Sequence, residues 1–299
     1  MVHRSHAPSR GARGAQPGTA PWPHGQFGGV LALQRLAGNR ATRALVAREV
    51  VTIGKATVRV ASDTEKKDAE RIINEANSKY GVLFDSIAAQ RTARKHYDDM
   101  KAATDEQLNA AEAKPWTYEE LKAFERALKH FRTVLGDARK KSNLKAKPQE
   151  IGTVGKLGSS PDDDPKHTTN KSRGEHFPEA QTVAIYEPGS ADDTSAEALE
   201  RNATHEIAHA VFGPHLEAFI KATPYWSKKF VKSKKPGAEA PPDTYAATNA
   251  SEDLAQSVAY FFTDRKRLKD GLPDRKTGEI GNACRKREAF IAGIVGRWT

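Results

Sequence analysis

The sequence predicts an α+β fold from three observations: β-branched alternation at separate places, helices with capping residues at their ends, and a Pro- and Gly-rich start that favours neither. Residues 1 to about 28 are rich in Gly, Pro, His and Arg and are expected to be disordered, because they offer too little apolar surface to offset ordering entropy. From Glu49 to Val60 the alternation reads as one or two short strands. Helices are expected over roughly 64–80 and 83–102, and Thr104-x-x-Gln107 is a capping box opening a third. A stronger helix follows Pro115-Trp116. Thr117-x-x-Glu120 caps it, and Leu121, Phe124, Leu128, Phe131 and Leu135 recur at helical spacing, the mark of a buried stripe. Residues 142–175 read as loop-rich with a strand at Ile151–Leu157, and Thr182–Tyr186 reads as another strand, ended by Pro188-Gly189. Thr194-x-x-Glu197 then caps a helix that stops at Gly213-Pro214. A later helix spans Tyr245 to Phe262 with Asn249 as its N-cap, and Ala289 to Trp298 closes the chain.

Charge and cysteine content narrow the function classes. The 299 residues carry a net charge of +10, of which seven arginines against Glu49 place +6 in the first 50 residues. Charge gathered in a tail describes a mobile arm better than a shaped nucleic-acid face, and no aromatic RNA-binding motif or recognition helix accompanies it. Nucleic acid is therefore not expected as the main partner. No stretch approaches the roughly 18 apolar residues of a membrane span. Nor does an apolar secretory segment precede Val30, so a Sec signal peptide is not expected. Cys284 is the sole cysteine, which excludes an intramolecular disulfide and a zinc site made of cysteines. The protein is expected to be a monomer.

The chemistry concentrates in Thr204-His205-Glu206-Ile207-Ala208-His209-Ala210. Leu199, Ala203, Ile207 and Val211 form an i, i+4 row that can pack on a core, while His205 and His209 point elsewhere on the helix. One helical turn sets two imidazoles side by side, so both can reach a single Zn2+ ion. Glu206 lies about 100° round the helix from the pair, poorly placed as a ligand but able to act as general base.

For the third ligand, His215 follows His205 at the distance a metzincin uses, but that pattern wants glycine where Phe212 stands and a methionine downstream. Met1 and Met100 are both upstream, so His215 reads as a loop or cleft-rim histidine. The next helix offers Glu252, on a row with Ala255, Gln256 and Ala259, whereas Leu254, Val258, Phe261 and Phe262 form its core stripe. Small alanines on that row permit close approach to the histidine helix. Asp253 is the rival carboxylate, and either acid also suits a helix N-terminus through the dipole.

At these residues the chain resembles a family. Tyr245-x-x-Thr248-Asn249-x-x-Glu252-x-x-Ala255, following Thr204-His205-Glu206-x-x-His209-Ala210, is similar to the catalytic domain of anthrax toxin lethal factor and to secreted Pro-Pro endopeptidases. The likeness spans residues 116–299, with its specificity in the two motif helices. It implies a gluzincin-like zincin fold, a small twisted sheet beside an active-site helix, and cleavage of a protein or peptide substrate. It further implies that Glu252 is the third ligand, that Tyr245 donates to the developing oxyanion, and that the strand of Tyr186 is the cleft edge for an extended peptide. Gln256 stands where the family often has an acid, and Ala208 replaces a frequent glycine.

The segment around Leu31-Ala-Leu-Gln-Arg-Leu-Ala-Gly38-Asn39-Arg40-Ala resembles one near the N-termini of proteins associated with extracellular contractile injection systems. That likeness implies a toxin-like effector, made in a bacterial cytoplasm and loaded into an injection particle. The alternative class is a catalytically silent adaptor of such a particle. The expected organisation is a basic tail with a short amphipathic loading segment over 1–47, a mostly helical accessory region over 48–115 and a metallopeptidase domain over 116–299.

Overall fold

The computed structural model describes residues 48–141, 147–161, 173–187, 194–223, 225–226, 239–271 and 283–298. The basic tail with its loading segment, and Pro188-Gly189, lie outside these.

The fold is α+β, as the alternation and the caps predict. β1 (Glu49–Ile53) and β2 (Ala56–Val60) form an antiparallel hairpin, and β2 pairs in parallel with β3 below through Val58 and Trp116. Gly54 turns the hairpin at φ 61°, a left-handed conformation that glycine adopts without strain. α1 (Asp63–Tyr80) starts at Ser62, whose hydroxyl accepts from Glu65 N, and ends at Gly81 in the left-handed region. The sequence-predicted 83–102 helix is shorter at its start. Leu83 and Phe84 are a two-residue strand, and α2 (Ser86–Met100) begins only after Asp85 caps it. Both capping boxes form, on α3 (Asp105–Ala110) and on α4 (Tyr118–His130). β3 (Trp116–Thr117) lies just before α4. Leu121, Phe124, Leu128, Phe131 and Leu135 are all buried, though the last two lie past the helix end. After α5 (Gly136–Lys141) come β4 (Thr153–Leu157), β5 (Gly174–Phe177) and β6 (Thr182–Tyr186).

The second sheet runs in the order Leu83–Phe84, β4, β6, β5, with the first three parallel and β5 antiparallel to β6. This overturns one expectation. The strand of Tyr186 is interior, paired on both sides, and the sheet ends on β5, a strand that begins inside the stretch read as loop. Its concealment has a physical cause: β5 reads Gly-Glu-His-Phe, too polar on both faces to show a hydrophobic alternation.

α6 (Ala196–Phe212) carries the paired histidines. Its cap is Ser195, one residue later than predicted, accepting from Ala198 N. It stops at Gly213-Pro214 as expected, but the chain stays helical through a 3₁₀ turn (Gly213–His215) into α7 (Leu216–Ala222). α8 (Ala250–Thr263) begins at Asn249, whose side chain accepts from Ser251 N and Glu252 N. Tyr245 is therefore not on this helix; it sits in the turn before the cap. α9 (Arg265–Asp270) follows, and α10 (Arg285–Val295) opens earlier than the predicted 289.

Residues from Arg48 onward form one compact unit, in which the strands before residue 115 hydrogen-bond to strands after it. α6 lies between α4 and α8, so its buried face is clamped from two sides. Arg126 Nε and His130 Nε2 on α4 both reach the Glu200 carboxylate on α6, at 2.5 and 2.9 Å, which holds that carboxyl below the usual range through the His130 bond first. No helix among the described residues is long and apolar enough to cross a membrane.

Candidate metal centre

Ala203, Ile207, Ala208, Ala210 and Val211 bury α6 in the core, and the same helix turns His205 and His209 towards α8. On α8 the small Ala255 and Ala259 are buried, which lets the two helices approach closely. His205 Nε2 lies 2.9 Å from Glu252 Oε2, His209 Nε2 lies 3.5 Å from the same oxygen, and the two Nε2 atoms are 3.2 Å apart. These three ligand atoms all fall within 4.8 Å of one another, the one such cluster of His, Cys, Asp and Glu among the described residues.

The donor set fits a metal ion. A hydrogen on an imidazole Nε2 serves only one of these close pairs, whereas a single cation serves all three atoms. A tetrahedral site with bonds near 2.1 Å separates its ligand atoms by ~3.4 Å, close to the spacings found. The paired imidazoles hold the Glu252 carboxyl well below the ordinary range, against the opposing effect of burial.

A cleft of roughly 460 Å³ opens at this cluster, lined by Gly174, Glu175 and His176 of β5 together with Glu206, His209, Ser251 and Glu252. Glu206 is 3% exposed; burial, opposed by His209 and reinforced by Glu252 and Glu175, pushes its carboxyl up to about 8. Tyr245 stands over the site with its ring 5.6 Å from that of His205. Half of that residue is exposed, yet burial of its hydroxyl end, then the Glu252 charge, keeps the phenol protonated.

The rival residues stand apart. Asp253 is fully buried and turned away from the histidines, accepting from Arg287 Nε and Nη2 at 2.8 and 2.5 Å and from Trp226 Nε1 at 2.6 Å. His215 packs its ring against Phe212 beyond the end of α6.

Several contributors escaped sequence reasoning. His205 Nδ1 is 2.9 Å from Gln256 Oε1, so Gln256 braces the first histidine from the side opposite Glu252. His209 Nδ1 is 3.3 Å from Ser251 Oγ. Gly174 and Glu175 were hidden at the end of the loop-like stretch, and His176 just past it was not singled out. Glu175 Oε2 accepts from both Tyr97 and Tyr186 hydroxyls at 2.9 Å, anchoring β5 from behind. His176 Nε2 is buried without a hydrogen-bond partner, and burial pulls that imidazole down to about 4. Alternation along β5 sends Gly174 and His176 to one face and Glu175 and Phe177 to the other, but four residues are too few to announce it.

A scan against protein-family models, a search of curated proteins and a search of solved structures each return no match to this chain.

Proposed function

We propose that this chain is a zinc-dependent endopeptidase of gluzincin-like zincin fold, with His205, His209 and Glu252 holding the metal. The observation that carries the reading is the crowding of three acceptor atoms from two helices at 2.9, 3.2 and 3.5 Å, beside a buried glutamate. Bound zinc would supply Lewis acidity, lowering the pKa of water and polarising the scissile carbonyl.

The chain's own groups do the rest. Glu206 takes a proton from the attacking water and passes it to the leaving amine nitrogen. Its carboxyl, raised by burial, falls towards a working value when positive charge is added nearby. The Tyr245 hydroxyl donates to the developing oxyanion, a role suited to a phenol that stays protonated. β5, at the end of its sheet, offers backbone groups to an extended peptide. Together with the resemblances at 204–255 and 31–41, this reading makes the protein a toxin-like effector whose basic tail loads it into a contractile injection particle.

The test pairs metal analysis with a digest of a peptide library and of host-cell lysate. One equivalent of zinc, and cleavage that disappears in Glu206→Gln while zinc remains, is the expected result. Zinc uptake with no cleavage above the Glu206→Gln background would instead identify a silent adaptor.

A further inference from the structure

We propose that Asp243 is a positioning residue that sets the tautomer of His205 through the Gln256 amide and, with its other oxygen, builds the turn bearing Tyr245. The proposal rests on the zinc reading above. It concerns how this chain prepares a ligand, and neither Asp243 nor its connection to the histidine is visible in the motif.

Asp243 Oδ2 accepts from Gln256 Nε2 at 2.7 Å and from the Tyr260 hydroxyl at 3.1 Å. A carboxylate has no hydrogen to donate, so the Gln256 NH₂ must face Asp243 and the amide oxygen must face the other way. That oxygen is 2.9 Å from His205 Nδ1. Two acceptors cannot share such a contact, so Nδ1 carries a hydrogen and donates it. The lone pair of His205 is thereby left on Nε2, the atom that faces His209 and Glu252. Ser251 Oγ beside His209 can donate or accept, so it exerts no comparable choice.

The second oxygen works on a different part of the site. Asp243 Oδ1 accepts from Ala246 N at 2.8 Å, and Thr248 N donates to Tyr245 O at 3.0 Å, closing the turn around Tyr245. One carboxylate thus orients both a ligand and the tyrosine above it. Tyr260, whose ring centre lies 5.6 and 4.9 Å from the Arg201 and Arg267 guanidinium carbons, donates to the oxygen that directs Gln256.

A reciprocal exchange of charge and amide tests this. In Asp243→Asn the one remaining oxygen is required by Ala246 N, and the new NH₂ faces the Gln256 NH₂. The Gln256 amide turns over, His205 loses its acceptor, and its hydrogen moves to Nε2. Zinc affinity, measured by competition with a chelator, is expected to fall about 10–100-fold. Combining Asp243→Asn with Gln256→Glu restores an acceptor for both His205 Nδ1–H and the new amide NH₂ at position 243, and affinity returns close to the original. Undiminished affinity in Asp243→Asn, or no recovery in the double variant, overturns the proposal. Should Asp243→Asn fail to fold, ¹⁵N-labelled, metal-free protein of unchanged sequence decides, since zinc on Nε2 would by itself force the hydrogen onto Nδ1. A slowly exchanging His205 Nδ1–H supports the relay, and a hydrogen on Nε2 overturns it. A chain that takes up no zinc overturns the metal reading and the relay together. Peptide cleavage is a separate readout: a chain with these zinc responses but no cleavage loses the peptidase reading and keeps the relay.

Discussion

Gly174 on the edge strand lies against the side chain of Glu206 with no room for a methyl group. A Cβ on Gly174 would stand 2.5 Å from Glu206 Cγ and 2.7 Å from Oε1. The strand and the proposed base are thus in van der Waals contact through a missing side chain, and the position of the carboxyl depends on that absence.

Gly174→Ala should therefore displace Glu206 while leaving His205, His209 and Glu252 in place. Displacement of about 1 Å costs on the order of a hundredfold in rate. Peptide cleavage should fall by that factor with zinc stoichiometry unchanged, and a variant that keeps full activity would show that Glu206 is not held by this contact.

The two adjacent acids on α8 separate cleanly. Glu252→Gln should abolish tight zinc binding, because it removes the anionic ligand that both imidazoles approach. Arg287→Met, by contrast, leaves Asp253 buried without its cation and should lower unfolding free energy by about 3–5 kcal/mol. Urea denaturation monitored by circular dichroism checks the second effect, and metal analysis the first.

His176 predicts an acid-side loss of stability. Burial lowers its pKa from 6.5 to about 4, so between those values the unfolded chain binds the proton that the folded chain refuses. Its contribution is complete above pH 6.5 and is lost as pH falls towards 4. Urea midpoints of metal-free protein at about pH 7 and about pH 5 should differ, and His176→Gln should shrink the difference. An unchanged difference would place the titration on other groups.

Cys284 should be inert in the folded protein. It is fully buried, its thiol is pushed up to about 12 by burial, and Sγ donates to Ala240 O at 3.4 Å. A thiol reagent should label it only at the rate of unfolding, with immediate reaction in denaturant. Rapid labelling of native protein would contradict the packing of Cys284 against Ala240.

Much of the fold was legible because its signals are local. Thr104 and Thr117 cap their helices through atoms three residues away, and the 121–135 stripe follows from helical spacing alone. β5 was illegible for the opposite reason: one of its faces serves the cleft and the other a tyrosine-bonded glutamate, so no hydrophobic period marks it. Tyr245 was read as helical because the pattern beyond Asn249 was extended backwards, whereas Asp243 and Asn249 bend the backbone into a turn and then a cap.

By itself, the sequence determined that two imidazoles one turn apart share a helix face with a glutamate beside them, since helical geometry requires nothing beyond the chain's own backbone. Only the tertiary structure decided which of two neighbouring acids meets them. Glu252 and Asp253 differ by about 100° around α8. The one that turned inward was taken by Arg287, 34 residues away, leaving the other to the histidines.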